Sequence, residues 1–364
     1  MIPISKPSIT EKEINYVEDA VTSGWVSSLG PFVEEFETMF AQYCGCKHAI
    51  TVANGTVGLH LALMSYDIGA GDEVIVPDLT FVATANAVRY TGATPILVDI
   101  ESETLCIDVN KIESAITKDT KAIMPVHLYG HPANMEAIRF IADKYGLVII
   151  EDAAEALGAT IGGKNVGSFG NIGVFSFYGN KIITTGEGGM LVLNDDLLND
   201  RARLLRDHAM SKTKRYWHES VGYNYRMTNI QAALGVAQLE RIEEILLKRR
   251  QIFEWYSLRL AKNPNITLNR TKKGYINCYW LICIELLNEF SGVRDELIEY
   301  LKKADIDSRP YFYPLSSLPM YKSHNCSVSD QVSSRGLNLP TFFDITEEEV
   351  DIVANTILTF LSKS

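Results

Sequence analysis

Residues 176–190 read SFYGNKIITTGEGGM and overlap the end of the apolar run IGVFSF, which closes at Phe177. One lysine, Lys181, stands between that strand-like run and a glycine cluster, Gly186, Gly188 and Gly189. Lysine usually belongs on open surfaces. Here the neighbouring residues call for tightly turned, partly buried backbone. A buried strand that delivers a lysine into a glycine-rich turn is what the sequence around it has to explain.

Upstream, short apolar runs alternate with helical patterns. HAITVA, DEVIVP, TPILVDI, KAIMPVHL and LVIIED read as strands. Between them, VGLHLALMSY, FVATANAVRYTG, DVNKIESAI and NMEAIRFIADKYG read as helices, two of them closed by glycine. Nearly continuous apolar strands are buried on both faces, and their alternation with helices indicates a parallel sheet. Two helices precede this pattern, EKEINYVEDAVTS with Ser8 or Thr10 at its start and PFVEEFETMFAQYC. Residues from about 45 to 245 therefore form one large α/β unit. Beyond a long helical stretch, NIQAALGVAQLERIEEILLKRRQIFEWYSLRLA, the pattern changes to a strand in NCYWLICIEL, a helix in GVRDELIEYLKKA and a closing helix in EEEVDIVANTILTFLS. The expected organisation is a large domain over residues 1–250, including the N-terminal helices, and a smaller α+β domain over 251–364.

The 364 residues carry a net charge of −11, with basic residues scattered, which argues against nucleic acid as a partner. The six cysteines form no CxxC pair and suit reduced thiols. The first residues, MIPISKPSIT, lack a basic-then-apolar signal pattern, and no apolar run approaches the roughly 18 residues of a membrane span. The expectation is a cytoplasmic chain with no membrane partner.

In open α/β sheets ligands sit at the C-terminal ends of the strands. After HAITVA come Asn54, Gly55 and Thr56 at a helix start, where free N–H groups and the helix dipole favour a phosphate. Asp152 ends LVIIED, a costly place for a carboxylate without a cation. Each of these alone would also serve as an ordinary helix cap. Ser176 ends VFS, and its hydroxyl can reach the same phosphate. Phosphate contacts, a carboxylate for a ring cation and an amine for covalent attachment together fit pyridoxal phosphate. Its aldehyde forms a Schiff base with a lysine and its pyridine nitrogen takes an acidic partner. Phe81 is placed to stack on the ring or to be a plain core aromatic. The alternatives are weak: GAGDEV lacks the third glycine of a dinucleotide fingerprint and precedes a strand, and no GxxxxGK[ST] loop occurs. His127 and His131 are separated by a Gly–Pro-interrupted stretch that cannot align them on a helix, so no metal site is expected.

The runs ANGT, GDEVIVPDLTF, PVHLYG, IEDAAEA, SFYGNKIITTGEGGM and GYNYRMTNIQAA, spread along essentially the whole chain, resemble the pyridoxal-phosphate-dependent sugar aminotransferases. RYWHESVGYNYRMTN and SRPYFYPLSSLPMY are similar to the GDP-perosamine-synthase branch. The resemblance implies an aspartate-aminotransferase-like fold and a homodimer with shared active sites. It makes Lys181 the cofactor lysine, Asp152 the ring-nitrogen partner, Gly55, Thr56 and Ser176 phosphate contacts and Phe81 the stacking ring. Glu155 falls where many members carry glutamine near the ring oxygen, a departure shared with the perosamine branch. Asn224 matches a phosphate contact given to the neighbouring subunit. Arg226 matches a substrate-facing cation, and His218, Arg309 and Tyr313 are further candidates for sugar or nucleotide contacts. A dehydratase branch replaces the lysine with histidine, so Lys181 implies transamination. The implied partners are L-glutamate and a nucleotide-linked 4-keto-6-deoxy sugar, with GDP-4-keto-6-deoxymannose ahead of UDP- or dTDP-linked sugars.

Overall fold

The computed structural model describes residues 1–321 and 326–363. Two helices open the chain, α1 (Glu11–Thr22) and α2 (Pro31–Cys44). Thr10 caps α1 in a reciprocal box with Glu13, and Pro31 starts α2 where a missing N–H costs nothing. Then come β1 (His48–Val52), α3 (Gly55–Ser65), β2 (Glu73–Pro77), α4 (Ala83–Tyr90), β3 (Thr94–Val98), α5 (Val109–Ala115) and β4 (Thr120–Ile123). They are followed by α6 (Met135–Tyr145), β5 (Val148–Asp152), a small hairpin of β6 (Thr160–Ile161) and β7 (Lys164–Asn165), β8 (Ile172–Ser176), β9 (Gly189–Leu193) and α7 (Asp196–Arg206).

Seven strands form the main sheet in the order β1-β9-β8-β5-β4-β2-β3. Only β9 runs against the others, because it pairs antiparallel with both β1 and β8. The remaining six point the same way, so their C-terminal ends share one edge. Both faces are buried. On β8 and β9, Phe175, Met190 and Val192 join the core formed with Phe36 and Phe40 of α2. Val174, Leu191 and Leu193 turn the other way, into the core formed with Leu59, Leu61 and Leu63 of α3. Two covered faces are why these strands read as unbroken apolar runs rather than alternating ones.

The long helical stretch after residue 228 is two helices, α8 (Asn229–Leu239) and α9 (Ile242–Leu260), broken at Glu240 and Arg241. Thr228 caps α8 with Gln231, which gave a start signal, but no glycine or proline marks the break. The rest is β10 (Ile266–Leu268), β11 (Tyr275–Ile276), β12 (Ile282–Leu286), α10 (Arg294–Lys303), β13 (Arg309–Pro310), α11 (Ser327–Arg335), β14 (Gly336–Leu339) and α12 (Glu347–Lys363). The strand expected across NCYWLICIEL keeps only Ile282–Leu286. Strands β10, β12, β14 and β13 make a second, four-stranded sheet.

Along α9 the core changes. Ile242, Ile245 and Leu246 pack with the large sheet, whereas Ile252, Tyr256 and Leu260 pack with the second sheet. The first residues also join the C-terminal unit, with Ile2 bridging Ile306 and Thr341 N–H bonded to the Ile4 carbonyl. Among the described residues no helix is long and apolar enough to cross a membrane.

Candidate active site

The shared edge of strand ends collects the chemistry. β5 and β8 are neighbours, paired up to Asp152 and Val174, so Asp152 and Ser176 emerge side by side. Gly55 opens α3 against Ser176. A Cβ on Gly55 would stand 3.0 Å from the Ser176 Cβ and 3.4 Å from its Oγ. Asn54 spends its side chain on the Val57 N–H. The first-turn N–H groups of Gly55 and Thr56 have no intrahelical acceptor and remain for a ligand. Gly189, from the glycine cluster, is needed for the same approach: a Cβ there would lie 2.8 Å from the Asn54 carbonyl carbon.

Lys181 enters from the turn after β8. Its Nζ lies 3.7 Å from Glu155 Oε1 and 3.9 Å above the centre of the Trp280 ring. Glu155 is buried, and its other oxygen accepts the Tyr129 N–H at 3.0 Å. Tyr129 reaches that position with a left-handed φ of 51°. Burial pushes the Glu155 carboxyl up to about 7, against the opposing pull of Lys181. Burial likewise lowers the Lys181 amine, against the pull of Glu155 and Asp152. A lysine easier to deprotonate and a carboxyl easier to protonate can exchange a proton at small cost, which suits acid–base work.

Asp152 is buried among neutral partners. Its Oδ2 accepts the Thr84 hydroxyl at 2.8 Å and its Oδ1 the Ala154 N–H at 3.2 Å. Burial raises its pKa and these two bonds lower it. The adjacent Glu151 is committed elsewhere. It bonds His127 Nε2 at 3.0 Å and accepts N–H groups from Gly167, at 2.7 Å, and from Gly170. His131 bonds the Pro132 carbonyl. The two histidines therefore have separate partners and do not converge.

Phe81, half exposed, precedes α4 and lies 5.7 Å from Phe312, which stacks on Tyr129 at 5.3 Å. Phe312 comes from the C-terminal unit, and its N–H donates to the Tyr129 hydroxyl at 2.9 Å. Carboxylates at two strand ends pin that unit here. Asp78 accepts the Ser316 N–H and hydroxyl, and Asp99 accepts the Ser329 N–H and hydroxyl.

The remaining candidate residues bond to groups other than Lys181 or are exposed. Asn224 is exposed and accepts two bonds from Arg226, which also pairs with Asp207 at 2.8 Å. His218 is exposed and bonds the His208 carbonyl. Arg309 and Tyr313 are exposed, Tyr313 directly after Phe312. Thr84, Tyr129, Trp280 and Phe312 escaped the sequence reading. Tyr129 and Phe312 carried a signal, inside the PVHLYG and SRPYFYPLSSLPMY runs quoted above. Thr84 and Trp280 are an ordinary helix residue and an ordinary loop residue until the chain folds.

These residues fit pyridoxal phosphate. The buried Asp152 carboxylate has neutral hydrogen-bond partners and no charged one, as a ring-nitrogen cation requires. The space at Gly55 is one that a single Cβ would invade. Asn180 Oδ1, beside Lys181, is a buried acceptor without a hydrogen-bond partner among the described residues.

The profile of the DegT/DnrJ/EryC1/StrS aminotransferase family matches residues 7–358. GDP-perosamine synthase from Vibrio cholerae is 44% identical over 366 residues, covering 100% of both chains. GDP-perosamine synthase from Caulobacter vibrioides is 47% identical over 360 residues, covering 97% of this chain and 96% of that one. Among solved structures, Spr1654 from Streptococcus pneumoniae in its PLP form superposes with a TM-score of 0.95 at 30% identity, covering 100% of this chain and 99% of that chain.

Proposed function

The chain belongs to the DegT/DnrJ/EryC1/StrS aminotransferase family, whose cofactor is pyridoxal phosphate, and on that premise we propose that it transfers the amino group of L-glutamate to C4 of GDP-4-keto-6-deoxy-D-mannose, giving GDP-perosamine. The observation that carries the substrate is full-length identity of 44–47% to relatives named GDP-perosamine synthase. The presence of Glu155 in place of glutamine supports the same branch.

When bound, the cofactor supplies an aldehyde for an amine and a cationic ring that accepts the electrons of the bond broken at the amine carbon. Lys181 Nζ is the covalent anchor. Once displaced by the incoming amine, it takes the proton from the donor carbon and returns it to the carbon to which the lysine itself had been attached, as base and then acid. Asp152 stays ionised against the ring nitrogen, supported by the Thr84 hydroxyl. Gly55, Thr56 and Ser176 hold the phosphate, and Phe81 covers a ring face. Glu155 accepts or yields the proton that the neighbouring lysine gains or loses. In this reading the active unit is a homodimer in which Asn224 serves the partner's phosphate. His218, Arg226, Arg309 and Tyr313 meet the sugar nucleotide.

A single-turnover assay tests the substrate. Enzyme loaded with the aminated cofactor is offered GDP-, UDP- and dTDP-linked 4-keto-6-deoxy sugars separately, and the return of the pyridoxal spectrum is followed. Only the GDP sugar should restore it quickly. Restoration by a UDP or dTDP sugar alone refutes the assignment.

A further inference from the structure

Trp280 presents its ring face to the Lys181 ammonium, and nothing in the reaction above uses it. It is 3% exposed and anchored from three directions. Its indole N–H donates to the Asn180 carbonyl at 2.8 Å, gripping the residue just before Lys181. Its own carbonyl accepts Arg249 Nη1 at 3.0 Å. Its ring stacks against Tyr129, whose N–H holds Glu155. The indole, the lysine and Glu155 are thus one fixed assembly.

We propose that Trp280 is a positioning residue whose indole face holds the uncommitted Lys181 ammonium on the Glu155 side of the pocket, leaving the Asp152 carboxylate for the ring nitrogen of the cofactor. The proposal rests on the roles given to Lys181 and Asp152 above. Two carboxylates compete for one buried cation. Glu155, Asp152 and Cys278 are the ionisable groups that act on Lys181, and burial opposes its charge. A lysine paired with Asp152 would occupy the charge that the ring nitrogen needs. A desolvated ammonium over the face of tryptophan is attracted to the ring quadrupole, most strongly for this side chain among the aromatics. That attraction is present only where the structure puts Nζ, 3.9 Å from the ring centre. It therefore biases the lysine towards Glu155 without adding a charge that would compete with the cofactor.

The test weakens the ring face and keeps its shape and its N–H. The full chain is produced with its tryptophans replaced by fluorotryptophans carrying one, two or three fluorines. The cofactor is removed, and Lys181 is labelled with a trace of acetic anhydride from pH 6 to 11, read on its peptide by mass spectrometry. The other tryptophans do not cover Lys181; Trp217 and Trp255 face Lys214 and Lys248. The Lys181 labelling midpoint should fall stepwise, by about one unit across the series, so that reactivity at fixed pH rises about tenfold. A midpoint unchanged by fluorination overturns the proposal. In that event, normal covalent attachment of the cofactor to Lys181 would leave the lysine's own role standing. Failure of the unsubstituted chain to attach the cofactor at Lys181 would overturn both.

Discussion

Thr84→Val removes one hydroxyl and almost no volume, and it isolates how the fold keeps Asp152 ionised. The Thr84 hydroxyl has one proton and two acceptors in range, Asp152 Oδ2 at 2.8 Å and the Phe81 carbonyl at 3.2 Å. The shorter, charged acceptor takes it. The Thr80 hydroxyl, 3.0 Å from Thr84 Oγ1, can then donate to the lone pair left over, so the two threonines form a chain ending on the carboxylate. A hydrogen bond to a charged group contributes about 1.5–3 kcal/mol, which is about 1–2 pKa units for the group that receives it. Asp152 is already raised by burial, and Thr84 is the strongest counterweight. Losing it moves the carboxyl further up. The acid side of the pH profile for cofactor affinity should then move up by about 1–2 units in Thr84→Val. Thr84→Ser, which keeps the hydroxyl, should stay close to wild type. The assay is equilibrium titration of the cofactor-free chain with pyridoxal phosphate between pH 5 and 9, alongside turnover. An unshifted acid limb in a folded Thr84→Val protein would refute the reasoning, because the hydroxyl would then be doing nothing for the charge.

Gly55→Ala should weaken cofactor binding by about five- to 150-fold, the range for an overpacked site at 1–3 kcal/mol. The neighbouring Ser176 Cβ cannot rotate away, so Gly55→Ala should cost less affinity in a Ser176→Gly background than in the wild type; titration of both single variants and the double variant checks this. Glu155→Gln should leave a pH-dependent stability gap in the cofactor-free protein. The wild-type carboxyl has its folded pKa raised from 4.5 to about 7, so it costs nothing while protonated in both states. As pH rises through this interval the unfolded chain ionises first and the folded wild type loses up to about 3 kcal/mol that the glutamine variant keeps. Urea unfolding at pH 5 and pH 8 reads the difference, and a gap that does not change with pH contradicts it. Lys181→Ala and Asn224→Ala homodimers should each be severely impaired. A mass-verified heterodimer should regain about half of wild-type activity if the two residues serve one site from different chains, since twofold symmetry then leaves one site intact. No recovery would mean that Asn224 serves its own chain.

Much of this molecule was readable from short windows of sequence. Strands β1, β2, β5 and β8 were legible because both their faces are buried, which leaves no polar alternation, and the half-buried edge strand β3 by its apolar run alone. Thr10, Asn54 and Gly146 mark helix ends through bonds or φ values formed within a few residues. Lys181, Asp152, Ser176 and Gly55 were nominated because a parallel sheet exposes its strand ends on one edge, and resemblance gave Glu155 and Asn224 their suggested roles. The break at Glu240 and Arg241 was missed because neither residue is a helix breaker.

What sequence alone determined was local: periodicity, caps, and the placing of charged residues at the ends of apolar strands. Each of those depends on interactions within about one turn or one strand, so its signal is written in adjacent letters. The tertiary structure alone decided which neutral group stabilises Asp152, which ring faces Lys181 and which C-terminal aromatic closes on Phe81. Thr84 is 68 residues from Asp152, Trp280 is 100 residues from the Asn180 carbonyl it grips, and Phe312 is 183 residues from the Tyr129 hydroxyl. Contacts at such separations are selected by how whole layers pack and by which buried donors and acceptors must find partners, and neither constraint leaves a pattern in the neighbouring sequence.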